Sequence, residues 1–353
     1  MNPVVTIFGG YGAIGRVIGA HLAATGRCRL VIAGRDEVKA QSAAREIGGE
    51  AIGRRIDVLQ FEAKAGDLGQ VVLNASGPSW KTSLPAARIA LAAKADFVDL
   101  GGYDQLRGIP PPPEPFRVLV SAGWMPGVSE LLSRLAVKEV ESRFGQVRSL
   151  DILCGARDTW AAGSSGDMVW HLLNRNDNGY FEGGKWHRVS PLKAFARNVI
   201  AAPVGSQWTM AVENSQAGTL AVEQKQARIT TRLGMIGWRT MVAICLARLI
   251  GQRHPDKAAR VLARAISVEA DGSPLGFCEA RAKGVGGSVS ARITTQENLR
   301  LTAVAGAEAV LSLLDSATTP SPGVHYLGDA VDPAPFLSRL ADAGFPHVVE
   351  IFA

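Results

Sequence analysis

Gly10, Gly12 and Gly15 make a G-x-G-x-x-G pattern within Gly9-Gly10-Tyr11-Gly12-Ala13-Ile14-Gly15. Residues without a Cβ at that spacing let a backbone turn sharply and approach a pyrophosphate. Unpaired N–H groups and the dipole of a following helix favour its negative charge. The expected chemistry is dinucleotide binding, with Gly9, Gly10, Tyr11, Gly12, Ala13 and Ile14 at the phosphates. Ala33-Gly34-Arg35 stands about 20 residues on, where such a site reads the ribose. A site for NAD wants a carboxylate at that strand tip. Here Ala33 and Gly34 leave room for a 2′-phosphate, and the Arg35 guanidinium can pair with it. Asp36 could instead hold a 2′-hydroxyl, but its place before Glu37 reads as a helix N-cap. The expected cofactor is NADP(H), with NAD(H) the alternative.

Other candidates stand at the ends of apolar runs. Asp57 could accept a hydrogen bond from an adenine amino group or cap a helix, and both readings stay open. Asn74-Ala75-Ser76-Gly77-Pro78 is built of small residues against which a dinucleotide could lie. Asp99 could hold a substrate ammonium or cap a turn. Tyr103 could donate a proton or pack as a lid. Trp124 reads mainly as a wall. Asp99, Tyr103 and Trp124 are nevertheless the candidate catalytic positions. Arg157 is the candidate partner of a substrate carboxylate, with Asp158, Trp160 and His171 nearby in sequence. His171 and His187 have a structural reading as well. No Ser-His-Asp order, H-E-x-x-H or Tyr-x-x-x-Lys pair occurs. Imine reduction suits that set, because an iminium already carries positive charge and needs mainly orientation and exclusion of water.

These residues need elements to position them. Val4–Phe8 is β-branched and apolar, a buried strand by composition. Arg29–Ala33, Ala51–Ile56, Val71–Leu73, Phe97–Asp99 and Phe116–Val120 read as further strands. Helices are expected between several of them: one follows Arg35 as far as Ile47, and another starts at Ser83 and Pro85. A helix over Val128–Phe144 comes last. The alternation predicts a doubly wound α/β fold with a parallel sheet covered on both faces. Ile109 to Pro115 holds five prolines in seven residues, a stiff extended connection.

Past Leu150 the texture changes. Tyr180–His187 reads as a hairpin around Gly183-Gly184. Strand-like runs follow at Gln207–Val212, Thr219–Thr231, Phe277–Lys283 and Ser288–Thr295, so a second, α+β domain is expected. Leu299–Leu314 reads as a helix returning to the first domain. The tail adds a helix near Phe336–Ala343 and a strand over Val348–Phe352. The expected domains are 1–125 with 299–353, binding the dinucleotide, and 126–298, binding substrate and another subunit.

With 353 residues, 47% hydrophobic and 20% charged, the chain can bury two cores. Its formal charge is +6, with Lys and Arg dispersed, which suits an anionic cofactor and substrate better than nucleic acid. Cys28, Cys154, Cys245 and Cys278 lie far apart without C-x-x-C, so neither zinc nor a disulfide framework is expected. No metal site is expected. The N-terminus runs straight into a strand without a signal-peptide pattern, and a cytoplasmic location is the expectation. Leu233–Ile250 is apolar enough to suggest a membrane span. Arg239 and Arg248 argue instead for a buried or dimer-forming helix, so no span is expected.

By Gly127 the motifs resemble the saccharopine dehydrogenase family, in the saccharopine reductase and carboxynorspermidine dehydrogenase branch. The matching pieces are Gly9–Gly15, Ala33-Gly34-Arg35, Asn74–Pro78, Phe97–Gly102 and Ala122–Val128, then Glu182–Trp186 and Leu299–Leu314. The likeness is thin between residues 190 and 290. It implies a Rossmann domain closed by C-terminal elements, an inserted α+β substrate and dimerisation domain, and a homodimer. It also implies a nicotinamide cofactor. The function expected is NADP(H)-dependent reduction of an imine, or oxidation of a C–N bond, in an amino-acid-derived, carboxylate-bearing small molecule. A C=C reductase of the enoyl reductase type and a non-catalytic NADP(H) sensor are the alternatives.

Overall fold

The computed structural model describes residues 2–102, 106, 109, 116–158, 162–174, 178–235, 237–270, 273–315 and 320–353. Its first elements are β1 (Val4–Phe8), α1 (Ala13–Thr25), β2 (Arg29–Gly34), α2 (Glu37–Ile47), β3 (Ile52–Arg55), β4 (Val71–Asn74), α3 (Ser79–Ala92), β5 (Asp96–Asp99) and β6 (Arg117–Val120). Then come α4 (Val128–Phe144), β7 (Ser149–Arg157), α5 (Ala162–Asn174), β8 (Gly179–Glu182), β9 (Lys185–Arg188), α6 (Pro191–Ala194), β10 (Phe195–Ile200) and β11 (Gly205–Val212). They lead to α7 (Ser215–Glu223), β12 (Arg228–Met235), α8 (Trp238–Gly251), α9 (Pro255–Ala270), β13 (Leu275–Lys283) and β14 (Ser288–Thr295). The chain ends with α10 (Asn298–Leu314), β15 (Gly323–Tyr326), α11 (Leu327–Ala330), α12 (Pro333–Asp342) and β16 (Val348–Phe352). Two units result: residues 1–127 with 299–332, and 128–298 with 333–353.

In the first unit the strands lie in the order β15-β6-β5-β4-β1-β2-β3, paired in parallel throughout. This is the doubly wound order, 3-2-1-4-5-6, with β15 added beside β6. The run Val71–Asn74 is buried along its whole length, as is Asp96–Asp99. Strands covered on both faces read as continuous rather than alternating apolar runs. Phe8, Val72, Phe97 and Val118 pack with Ala86, Ala87 and Ala90 of α3. α3 starts at Ser79, four residues before the expected start, and Pro85 lies inside it. A proline there lacks the N–H that would bond the Lys81 carbonyl, and the helix runs on to Ala92.

The second unit holds a nine-stranded sheet, β10-β11-β12-β7-β13-β14-β16, with the β8–β9 hairpin attached to β12. The β12–β7 pair is parallel, and its other pairs are antiparallel. The hairpin turns on Gly183 and Gly184, both at positive φ, as expected for that dipeptide. α4 packs on β13 and β14. α8 and α9 pack together, joining Ala243, Ile244 and Ala247 to Ala258, Leu262 and Ile266.

Three expectations are corrected. The tail does not all join the first unit: β16 pairs with β14, and Glu350 forms an ion pair with Arg292 across that pairing. Thr219–Glu223 is helical, because Asn214 caps α7 by accepting from the Gln216 N–H at 3.0 Å. Gln216, Ala217, Leu220 and Ala221 then form its buried stripe. Leu233–Ile250 is not one helix, since β12 ends at Met235 and α8 begins at Trp238 behind Gly237. Among the described residues no helix is long and apolar enough to cross a membrane.

Candidate functional site

The glycine turn connects β1 to α1. Gly9 has φ +70°, and a Cβ built on it would lie 2.8 Å from the Ser76 nitrogen. The Gly10 N–H donates to the Ala33 carbonyl at 3.0 Å, tying the turn to β2. The Gly12 N–H donates to the Gly9 carbonyl at 2.9 Å. A Cβ on Gly15 would lie 2.4 Å from the Gly9 oxygen, so turn and helix are in backbone contact. Gly12 differs: a Cβ there would meet only the Gly9 oxygen, at 3.0 Å, and otherwise open space.

That open side faces a helix start with nothing of its own to satisfy it. Gly12 is the N-cap of α1, makes no side-chain cap bond, and no acid stands in the first turn. The first N–H groups of a helix have no partner within it. Uncapped, they form an anion site of the kind a pyrophosphate occupies. The residues present therefore fit a dinucleotide. Gly9, Gly10, Tyr11, Gly12, Ala13 and Ile14 form this turn and the start of α1.

At the tip of β2 the Tyr11 ring covers Gly34; a Cβ on Gly34 would come within 2.3 Å of Tyr11 Cε1. Arg35 is exposed and makes no hydrogen bond or ion pair among the described residues. Asp36, beside it, caps α2, its Oδ1 accepting from the Lys39 N–H at 3.1 Å. That backbone hydrogen bond holds the Asp36 carboxyl below its ordinary value. The acid is engaged by its helix and the guanidinium is left over. Asp57 Oδ1 accepts from the Leu59 N–H at 3.0 Å.

The tips of β4, β5 and β6 form the other half of the sheet's carboxyl edge. Asn74 donates from Nδ2 to Asp99 Oδ2 at 2.8 Å. Its Oδ1 accepts from the Ser76 N–H at 3.2 Å and from the Ser76 hydroxyl. Asp99 Oδ1 accepts from the Gly101 N–H at 2.9 Å. Asp99 is only 1% exposed. Both oxygens of Asp99, a candidate catalytic position, thus accept hydrogen bonds inside the protein, an arrangement that fits positioning of the loop. Trp124 is 8% exposed. Tyr103 and Trp160 lie outside the described residues.

Two serines, Ser121 and the expected helix start Ser83, carry features that the sequence does not signal. Ser121, at the tip of β6, has φ +59° and a buried hydroxyl without a partner among the described residues. Ser83 Oγ is likewise buried and unpartnered. A non-glycine residue at positive φ stores strain and tends to occur at functional edges. The Ser121 N–H donates to the Gly101 carbonyl and the Ala122 N–H to the Asp99 carbonyl, each at 2.9 Å, stitching β5's exit loop to β6's. The only signal for Ser121 in sequence was its place directly after an apolar run.

In the second unit, Arg157 ends β7 and donates from Nε to the Ser273 carbonyl at 3.3 Å. Asp158 Oδ2 accepts from Asn298 Nδ2 at 2.9 Å. His171 sits half-buried in the last turn of α5. A carboxylate unforeseen in the sequence, Glu130, is 1% exposed near the start of α4. It accepts from Asn214 Nδ2 at 2.5 Å and from the Ser129 hydroxyl. With its amide turned, Gln216 adds a donor to Glu130 Oε2 at 2.6 Å. Cys154 and Cys278 face each other across β7 and β13, Sγ to Sγ 2.7 Å. Burial, then Cys154, then Glu130 push the Cys278 thiol well up, so it stays protonated. No group of three potential metal ligands occurs among the described residues.

Fold and loop together define a class: a doubly wound α/β unit with an uncapped glycine turn at β1–α1, and a second unit built on a mixed sheet. Among solved structures the chain is similar to apo saccharopine dehydrogenase (L-Glu forming) from Saccharomyces cerevisiae. That likeness covers 100% of both chains at 14% identity, with a TM-score of 0.71. It is also similar to GenD2 from gentamicin A biosynthesis in complex with NAD, at 14% identity over 99% of this chain and 96% of that one, TM-score 0.45. A myo-inositol dehydrogenase from Corynebacterium glutamicum ATCC 13032 is similar over 99% of both chains at 13% identity, TM-score 0.45. No family model and no curated protein matches the chain. At these identities the likeness is one of fold.

Proposed function

We propose that the chain is an NADP(H)-dependent oxidoreductase that reduces an imine, or oxidises the corresponding C–N bond, of an amino-acid-derived substrate. The observation that carries this reading is the pairing of an uncapped α1 N-terminus with an unengaged Arg35 beside an engaged Asp36. The first supports binding of the pyrophosphate. The second supports a 2′-phosphate over a free 2′-hydroxyl. The fold's likeness to a protein named as a saccharopine dehydrogenase supports C–N chemistry.

A bound nicotinamide dinucleotide would supply the hydride. The chain's own residues do the rest. The N–H groups of Ala13 and Ile14 hold the phosphates, and Arg35 pairs with the 2′-phosphate. The Asn74–Asp99 tie fixes the edge against which the ring half lies, and Trp124 keeps water from it. Among the described residues Arg157 uses only Nε, toward the Ser273 carbonyl, and its guanidinium is the proposed partner of a substrate carboxylate. No strong acid–base pair is required, because the iminium arrives with its positive charge.

The test is consumption of NADPH, followed by its fluorescence, by the full chain with pairs of a 2-keto acid and an amino acid. Loss of signal that requires both the keto acid and the amine supports the proposal. Loss with an unsaturated acyl compound and no amine would replace it with C=C reduction. Binding without consumption across all pairs would replace it with a sensor.

A further inference from the structure

α8 is apolar on both sides. Ala243, Ile244 and Ala247 are buried against α9. On the opposite side Trp238, Val242, Leu246 and Leu249 are exposed, with Trp238 at 70% and Leu249 at 79%. Their spacing of four, four and three places them on one stripe. Trp208 adds to it. On β11 it shares a sheet face with Met210, and Met210 packs into the same cluster as Ala243 and Ile244. Trp208 is itself 54% exposed, and it pairs with Met235, three residues before Trp238.

A helix hydrophobic all round has its second face covered by something. Charge says what. From α8 through α9 the bases are Arg239, Arg248, Arg253, Lys257, Arg260 and Arg264, against two acids, Asp256 and Glu269. Arg239, Arg253, Lys257, Arg260 and Arg264 are exposed. Docking this stripe onto a second copy of itself would set arginines against arginines with no carboxylate on the helix to separate them. An anionic bilayer presents the opposite: an apolar layer for tryptophan and leucine beneath a negative rim for arginine and lysine.

We propose that the exposed face of α8 is a docking surface for an anionic lipid membrane. The helix lies on that membrane and does not cross it: its 14 residues reach about 21 Å, short of a hydrocarbon core of about 30 Å. The stripe sinks to the acyl boundary, the two tryptophans sit at headgroup level, and the basic side chains of α9 contact lipid phosphates.

The chain carries its own probe. Cys245 is the exposed cysteine on α8, and Cys28, Cys154 and Cys278 are buried. A polarity-sensitive fluorophore on Cys245 of the full chain is read with vesicles of phosphatidylcholine alone and of phosphatidylcholine mixed with phosphatidylglycerol, alongside sedimentation. The expected result is co-sedimentation and a blue shift with the mixed vesicles, neither with phosphatidylcholine alone, and weakening as salt rises. Leu246→Glu and Leu249→Glu should each cut binding by about tenfold or more, since one buried leucine is worth at least that in an equilibrium constant. Both sites are exposed, so circular dichroism and elution volume should not change. Failure of the wild type to bind mixed vesicles would overturn the proposal, as would equal binding by both variants. A change of elution volume from dimer to monomer in the variants would assign the stripe to a second copy instead.

Discussion

Asn74 and Asp99 are Cα partners on the neighbouring parallel strands β4 and β5, and their side chains meet at 2.8 Å beneath the loops of the sheet's carboxyl edge. This tie, with the Gly101 N–H on the second oxygen, fits Asp99 as a positioning residue. Asp99→Ala should therefore cost stability, about 2 to 4 kcal/mol, because it leaves two buried donors unpaired. Urea denaturation reads this directly. A carboxylate serving substrate alone would leave the midpoint unchanged and raise KM.

Gly12 and Gly15 should separate binding from folding. A Cβ on Gly15 collides with backbone at 2.4 Å, whereas one on Gly12 points into open space past the Gly9 oxygen. Gly15→Ala should lower the thermal midpoint by several degrees or prevent folding. Gly12→Ala, which asks the Gly9 oxygen to give only slightly, should cost about 1 kcal/mol or less in stability and still weaken dinucleotide binding sharply. Equal binding by Gly12→Ala and wild type would place the phosphates elsewhere.

Arg35→Ala should weaken NADPH binding by about tenfold or more, the order of a charge-assisted hydrogen bond or two, and leave NADH binding nearly unchanged. Parallel fluorescence titrations give the ratio. Equal losses for both would remove Arg35 from the 2′-phosphate.

His347 sets a pH dependence. Burial pushes its imidazole below the ordinary 6.5, and its buried Nδ1 has no partner among the described residues. The unfolded chain takes up a proton at a pH where the folded chain does not. Stability is therefore unaffected above 6.5 and is lost as pH falls through that value toward the lowered one. Subtracting the His347→Gln stability curve from wild type isolates this effect from the carboxylates. The difference should be level above about pH 7 and fall toward about pH 5; a level difference throughout would contradict the assignment.

The first unit was legible in the sequence because buried parallel strands are continuous apolar runs ending in small residues, and the helix after Gly12 has its stripe at helical spacing. The helix from Val128 to about Phe144 was legible, and α4 spans Val128–Phe144. Where tertiary pairing decides, local pattern failed. Val348–Phe352 reads as a strand anywhere, but nothing local says that Arg292 and the open edge of β14 will claim it. Thr219–Glu223 is rich in β-formers and apolar residues, and the Asn214 cap outweighed that preference. Of the candidate site, the glycine turn and Arg35 stand out by type and spacing. The surroundings of Asp99 do not: a capping carboxylate and a substrate carboxylate have the same sequence, and burial with the Asn74 amide appears only in the fold. Ser121 was invisible because its backbone angle, not its type, marks it.

The central claim is that the β1–α1 turn of this chain holds a nicotinamide dinucleotide. Isothermal titration of the full-length protein with NADPH and with NADH tests it most directly. The account predicts saturable binding of one dinucleotide per chain, tighter for NADPH and lost in Gly12→Ala. A folded protein that takes up neither dinucleotide would contradict it.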